Sequence, residues 1–349
     1  MKSVCIVCGG QSHEHEISLI SAYSVLCNID RTKYDVHTII IDEDGNLFHS
    51  QENAELKNGG WKSLPDLVPC IITQGGNFNG LLIKTEDGYS ELKIDVFFPV
   101  LHGENGEDGV IQGLFKMSQT AYVGNGVLSS ATCMDKEMTH MRLDAAGIKT
   151  AAYIVARCDA DNVDSLDAKI VATLGYPVFV KPANAGSSVG VGKAKDKLEL
   201  GNVLKTAFEV DSKVLIEECI VGLEVECAVL GNESPIAAKY IGQIAPTAEF
   251  YDFDAKYTDA STQLYIPAKV DAATSERVRT EAVKAYKIMG CEGLSRIDFF
   301  ALSDGSIVLN EINNLPGFTS ISMYPKLFEA SGIPYSELID KLIETARVK

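Results

Sequence analysis

The chain has 349 residues, 46% of them hydrophobic and 23% charged, which allows two or three folded domains and excludes a disordered chain. With 31 Lys+Arg against 48 Asp+Glu the net charge is −17, a field that repels nucleic acid and anionic membranes, and there is no basic run to override it. No apolar stretch approaches the ~18 residues of a bilayer span, so neither nucleic acid nor membrane insertion is expected.

The N-terminal MKSVCIVCGG reads as a first strand and its turn, not a leader peptide. Nine cysteines, Cys5 and Cys8 among them, are scattered through apolar segments, the usage expected of reduced thiols in the cytoplasm. After the strand Val4–Val7, an apolar stripe at Leu19, Ala22, Leu26 and Ile29 predicts a helix, and Val36–Ile41 the next strand. This β-loop-α-β opening predicts an open parallel α/β sheet. Residues 42–93 read as a surface excursion with short strands at 68–73 and 80–84. A near-continuous apolar strand at 96–101 then leads into the glycine-rich turn HGENGEDG and a helix carrying Leu114, Phe115 and Met117.

Met134, Met138, Met141 and Ala145 predict one further helix, with the methionines as core packing. A small α+β unit follows: strands near 153–155 and 177–181, the turn PANAGSS, a strand at 189–193, and helices at 164–174 and 196–209. The last region has strands at 214–217, 224–230 and 236–241, a polar connection at 243–262, and a helix with Val278, Ala282, Ala285 and Met289 on one face. Strands 295–300 and 306–312, the turn NNLPGFTS and a helical segment complete it. The expected division is 1–124, 125–213 and 214–349.

The strongest chemical signal lies in the last two strands. Alternation places Arg296 with Asp298 in SRIDFF, and Glu311 with Asn313 in LNEINN. If these strands pair, two carboxylates and an amide converge beside an arginine, a hard-oxygen set suited to Mg²⁺. An ion-paired sheet face is the plainer alternative, but the flanking apolar residues make these strands central, where unpaired charge is costly. Lys181 ends a buried strand before a Gly/Ser turn whose N–H groups can cradle phosphate, and Lys136 begins a helix after an aspartate. Glu217, Glu218, Ile220 and Glu224 flank a strand break that can face a base and its ribose, a weak signal taken alone. His102 and the acidic turn after it, like Glu14, His15 and Glu16, follow strands of the parallel sheet, where α/β folds bind ligands. A zinc site at His13 and His15 lacks converging ligands, and Ser187 and Ser188 lack a hydrolase elbow.

Taken together, GGQSHEHEISL, HGENGEDGVIQG, MDK, VFVKPANAGSSVG, LIEECIVGLEVE, FYDFDAKY and SRIDFF with LNEINNLPGFTSISMYP resemble the D-alanine–D-alanine ligases of the ATP-grasp superfamily over essentially the whole chain. The resemblance implies the ATP-grasp fold: an N-terminal open parallel α/β domain, a small central α+β domain, and a C-terminal α+β domain with an antiparallel sheet. It implies ATP-dependent joining of two D-alanines through a D-alanyl phosphate, for peptidoglycan precursors, by a cytoplasmic homodimer. Lys136 and Lys181 would hold ATP phosphates, Glu217, Glu218 and Ile220 the adenine, and Glu224 the ribose. Asp298, Glu311 and Asn313 would bind two Mg²⁺, with Mn²⁺ a substitute, and Arg296 would meet the transferring phosphoryl group. Glu16 would pair with the first D-alanine's ammonium, His102 would lie near its carboxylate, and Ser187 and Tyr257 would hydrogen-bond to Glu16. Lys256 and Ser322 would take the second carboxylate, Met323 the second methyl, and the Gly317 N–H the oxyanion.

Tyr257 stands where D-lactate-using relatives have histidine, and an apolar Met323 rejects a serine hydroxyl only modestly, so D-Ala–D-Ser ligation is the close alternative. Another ATP-dependent carboxylate–amine ligase is a further one. A non-catalytic nucleotide-binding protein would leave the acidic cluster without purpose. Asn314 departs from the Thr or Ser usual after the ligand asparagine.

Overall fold

The computed structural model describes residues 1–51, 56–76, 78–245 and 263–349. In chain order the first eight strands are β1 (Lys2–Gly9), β2 (Tyr34–Ile41), β3 (Leu47–Ser50), β4 (Val68–Ile72), β5 (Gly80–Thr85), β6 (Gly88–Lys93), β7 (Val96–Pro99) and β8 (Ala121–Tyr122). They form one sheet in the order β6-β5-β4-β3-β2-β1-β7-β8. β1, β2, β7 and β8 pair in parallel, and the excursion continues the sheet with antiparallel strands. Val4 to Cys8 are wholly buried, as an apolar run in the centre of a covered sheet should be. Helix α1 (His15–Asn28) buries the predicted stripe of Leu19, Ala22 and Leu26 on one face of this sheet, and α2 (Val110–Ser118) packs Ile111 and Phe115 into the core of the other.

The expected single helix through Met134 and Met141 is two: α3 (Val127–Met134) and α4 (Lys136–Ala145). Asp135 separates them, its carboxylate accepting from Met138 N at 3.1 Å as an N-cap. The cap starts a new helix with its own phase. Thr139, His140 and Leu143 are therefore buried, whereas Met138 and Met141 are 40% and 52% exposed rather than core.

The second sheet is antiparallel, in the order β11-β10-β12-β9, from β9 (Tyr153–Arg157), β10 (Val178–Pro182), β11 (Gly192–Ala194) and β12 (Lys213–Glu218). With α5 (Val163–Thr173) and α6 (Lys197–Val210) it encloses its own core of Leu166, Ile170, Val178, Leu204 and Ile216. β12 pairs with β10 and β9, so a boundary at 213/214 cuts off a strand of this sheet; the change of sheet falls between Glu218 and Leu223.

The third sheet, again antiparallel, comprises β13 (Leu223–Leu230), β14 (Ile236–Ala237), β15 (Gly242–Ala245), β16 (Gln263–Tyr265), β17 (Leu294–Ala301) and β18 (Ile307–Asn313). α7 (Ala272–Ile288) buries Val278, Ala282 and Ala285 against it, as predicted. α8 (Met323–Ala330) and α9 (Tyr335–Thr345) pack on the other side, in one core with α1 and the first sheet. That shared core sets the turn before α8 beside the carboxyl ends of β1 and β7.

Candidate active site

β17 and β18 pair as the alternation requires, and a bulge sharpens the result. Asp298 lies opposite Glu311 and Phe299 opposite Leu309, leaving Asn310 as the extra residue. Without that insertion Leu309 would share a face with Glu311. With it, Leu309 and Phe299 enter the core, while Asn310 and Glu311 both face a cleft of about 190 Å³. Arg296 grips Asp298 in a bidentate pair of 2.8 and 2.7 Å and reaches Glu226 on β13 at 3.2 Å. Asn313 Nδ2 lies 2.9 Å from Asp298 Oδ2 and 3.3 Å from Glu311 Oε1, so the three predicted ligands do converge. Among the described residues no three His, Cys, Asp or Glu side chains form a metal cluster. A cation here would therefore rest on two carboxylates and the Asn313 amide oxygen, after a half-turn of that amide. The donor set is all hard oxygen and fits Mg²⁺.

Lys136 and Lys181 line the same cleft, with Glu224 across from them. The cap that begins α4 places Lys136, whose ammonium donates to Ala185 O at 2.6 Å. Burial, helped by Lys181, lowers its pKa against the pull of Glu311. Lys181 is carried on β10 with Phe179, two residues apart and both on the cleft side. Its Nζ lies 2.6 Å from Glu217 Oε2 and donates to Asn310 Oδ1 at 3.2 Å. Burial works against this ammonium, but Glu217, Glu311 and Glu224 outweigh it and raise the pKa. Burial pushes Glu224 up to about 7, with Asp298 and Glu311 adding repulsion.

The remaining base-side residues are less uniform. Glu217 is 4% exposed and lies beneath Lys181, not in the cleft wall. Burial opposes its charge, but Lys181 and His140 hold its pKa down to about 2. Glu218 accepts from Ala152 N at 2.8 Å, and Ile220 is half-buried in the connection to β13; neither lines the cleft. Phe179, Phe300, Asn310 and Glu226 do line it, and the sequence reading had not singled them out. The alternation that turns Asp298 toward the cleft applies equally to Phe300.

On the far side of the turn at 184–190, Ser187 and Ser188 hold φ of 49° and 59°, a left-handed backbone that turns the chain toward the first sheet. Ser187 Oγ donates to Glu14 Oε1 at 2.5 Å. The predicted bond to Glu16 is thereby corrected. Glu14 is the N-cap residue of α1 and 8% exposed, whereas Glu16, about 200° further round the helix, is exposed and accepts from Asn58 N at 2.8 Å. Glu14 also lies close to Gly103, where an added Cβ would stand 3.1 Å from its Oε2.

His102 is buried, with Nε2 3.3 Å from Ser21 Oγ, which in turn accepts from Phe318 N at 3.4 Å. One serine of α1 thus joins His102 to the turn holding Gly317. Ser322 Oγ accepts from Thr319 N at 3.0 Å, and a Cβ on Gly317 would stand 2.8 Å from it, so glycine keeps that approach open. Met323 is the first residue of α8. It is 5% exposed in the core, its sulfur packed so closely on Gly242 that a Cβ there would be 2.4 Å away. Tyr257 and Lys256 lie outside the described residues. Asn314 is 2% exposed and donates to Glu107 O at 2.9 Å and Ser130 O at 3.4 Å, tying the glycine turn and α3 to the end of β18.

Comparison with known proteins agrees with this layout. Residues 3–125 match the family model for the D-ala D-ala ligase N-terminus and residues 143–344 that for its C-terminus. The D-alanine–D-alanine ligase of Acetivibrio thermocellus is 48% identical, covering 99% of this chain and 96% of the relative; that of Proteus mirabilis is 44% identical, covering 98% and 94%. Among solved structures, the VanG D-Ala:D-Ser ligase from Enterococcus faecalis superposes with a TM-score of 0.89 at 39% identity, covering 99% of both chains. The D-alanine–D-alanine ligase from Coxiella burnetii superposes with a TM-score of 0.88 at 32% identity, covering 99% of this chain and 93% of that one. Matched over both halves of its length, with the acidic strands, the lysines and the serine turn around one cleft, the chain belongs to the D-alanine–D-alanine ligase family.

Proposed function

We propose that the chain joins two D-alanines to D-alanyl-D-alanine at the expense of ATP, for peptidoglycan precursor synthesis. The carboxylate of the first D-alanine attacks the γ-phosphorus, giving ADP and a D-alanyl phosphate. The amine of the second then attacks the acyl carbon, and phosphate leaves as the peptide bond forms. The observation that carries this reading is the cleft where Lys136, Lys181 and Arg296 face Asp298, Glu311 and Glu224. An anion must approach an anion there, and fixed positive charge is what lowers that barrier.

Lys136 and Lys181 take the phosphates, Glu224 takes ribose hydroxyls, and Phe179 and Phe300 give the base an apolar surface. Asp298, Glu311 and Asn313 would hold Mg²⁺, which when bound screens the phosphate oxygens. Arg296, its Nε and Nη2 already on Asp298, has Nη1 for the transferring group. Glu14 takes over the role expected of Glu16 and holds the first ammonium, fixed by Ser187; His102 lies by the carboxylate. Ser322, and Lys256 beyond the described residues, hold the second carboxylate, and the Gly317 N–H faces the oxyanion. Orientation of two small zwitterions, and exclusion of water from the acyl phosphate, supply the rest. The expected assembly is a homodimer through the first sheet's region; Val110 and Met117 of α2, 57% and 55% exposed, offer it apolar surface.

A second reading, D-Ala–D-Ser ligation, draws support from the likeness to the VanG enzyme. Phosphate release with ATP and Mg²⁺ separates the two. D-Ala alone gives release under the first reading, whereas release that needs D-Ser beside D-Ala favours the second. No release with either rejects both.

A further inference from the structure

His140 is a buried histidine beside the nucleotide lysines for which the reaction above has no task. It sits on α4 one turn after Lys136, 2% exposed, with its ring 4.7 Å from that of Tyr153 on β9. Its Nε2 lies 3.2 Å from Glu217 Oε1, while Lys181 Nζ lies 2.6 Å from Oε2 of the same carboxylate. Each oxygen of one buried carboxylate therefore has its own partner. His140 Nδ1 is buried with no hydrogen-bond partner among the described residues. An imidazole kept at the cost of one unsatisfied nitrogen packs less favourably than a leucine would, so the bond through Nε2 is the reason for the residue type.

Lys181 is shared. In the reading above it turns to a phosphate when nucleotide binds, and Glu217, too buried to be rehydrated, loses its ammonium. What remains on the carboxylate is the Nε2–H of His140. We propose that His140 is a positioning residue for the nucleotide: it holds Glu217 fixed and compensated so that Lys181 can be released to the phosphates. The inference rests on the assignment of Lys181 as a phosphate ligand.

Calorimetric titration of the full chain with ADP and Mg²⁺ tests it. His140→Leu is expected to weaken ADP binding about 10- to 100-fold, the worth of a hydrogen bond to a charged group. His140→Gln, whose amide N–H reaches the same oxygen, should stay within about threefold of the parent. Turnover at saturating ATP should fall less than affinity in both. In a Glu217→Gln background the leucine penalty should shrink to less than about threefold, which a packing role would not produce. Should the leucine variant not fold, His140→Asn, too short to reach Oε1, takes its place. Equal ADP affinity in parent and leucine variant, equal losses for Leu and Gln, or an undiminished penalty in the Glu217→Gln background would each overturn the proposal alone. A parent chain that fails to bind ADP would overturn the site assignment together with it.

Discussion

Ser187 Oγ and Glu14 Oε1 meet at 2.5 Å across 173 residues of sequence, joining the serine turn of the second sheet to the first turn of α1. A carboxylate fixed in this way is buried against the serine turn, whereas Glu16 is exposed on the other side of the helix. Glu14→Gln should lower kcat/KM for D-alanine about 10- to 100-fold, the value of a charge-assisted contact, and Glu16→Gln should leave it within about twofold. Steady-state kinetics of the two variants decide which glutamate holds the ammonium.

Glu311 faces Asp298 across the bulged pair of strands, and a glutamine there keeps the size and shape of the side chain while removing its charge. Glu311→Gln should reduce turnover by at least about 100-fold while the melting temperature stays within a few degrees. An unchanged turnover would remove Glu311 from the ligand set.

Glu224 supplies a pH dependence with a definite sign. Burial, together with Asp298 and Glu311, raises its folded pKa to about 7, so the folded chain keeps a proton that the unfolded chain releases near 4.5. Its contribution to stability is full below pH 4.5 and is lost as pH rises through 7, a loss of about 3 kcal/mol. With metal chelated, the melting temperature of Glu224→Gln should exceed the parent's by more at pH 8 than at pH 5. An advantage that does not grow with pH would contradict this.

Asn314, the departure from the family's usual Thr or Ser, donates to two backbone carbonyls, that of Ser130 buried and that of Glu107 partly so. Asn314→Ala would leave both short of a donor and should cost about 1–3 kcal/mol, read as a lowered denaturant midpoint with an unchanged slope. Asn314→Thr should recover part of that stability.

Much of this was legible in the sequence because it follows from short periodicities. The stripe of α1, the central strands, and the pairing of Asp298 with Glu311 needed only spacing and apolar pattern. Asn310 was missed because strict alternation cannot foresee a bulge, and the bulge is what sends Leu309 inward. The break before α4 carried a signal in Asp135, an N-cap residue, but the methionine spacing ran through it. Glu14 and Glu16 flank the helix start, and only the location of the cap decides which one is buried. His140 belongs to no motif; its meaning comes from β12 crossing beneath α4.

The most direct test of the whole account is product analysis after incubation of the chain with ATP, Mg²⁺ and D-alanine, by mass spectrometry and nucleotide chromatography. The account predicts D-alanyl-D-alanine in equal amount to ADP and phosphate, and loss of all three in Lys181→Ala. ADP without dipeptide, or dipeptide formation indifferent to Lys181, would contradict it.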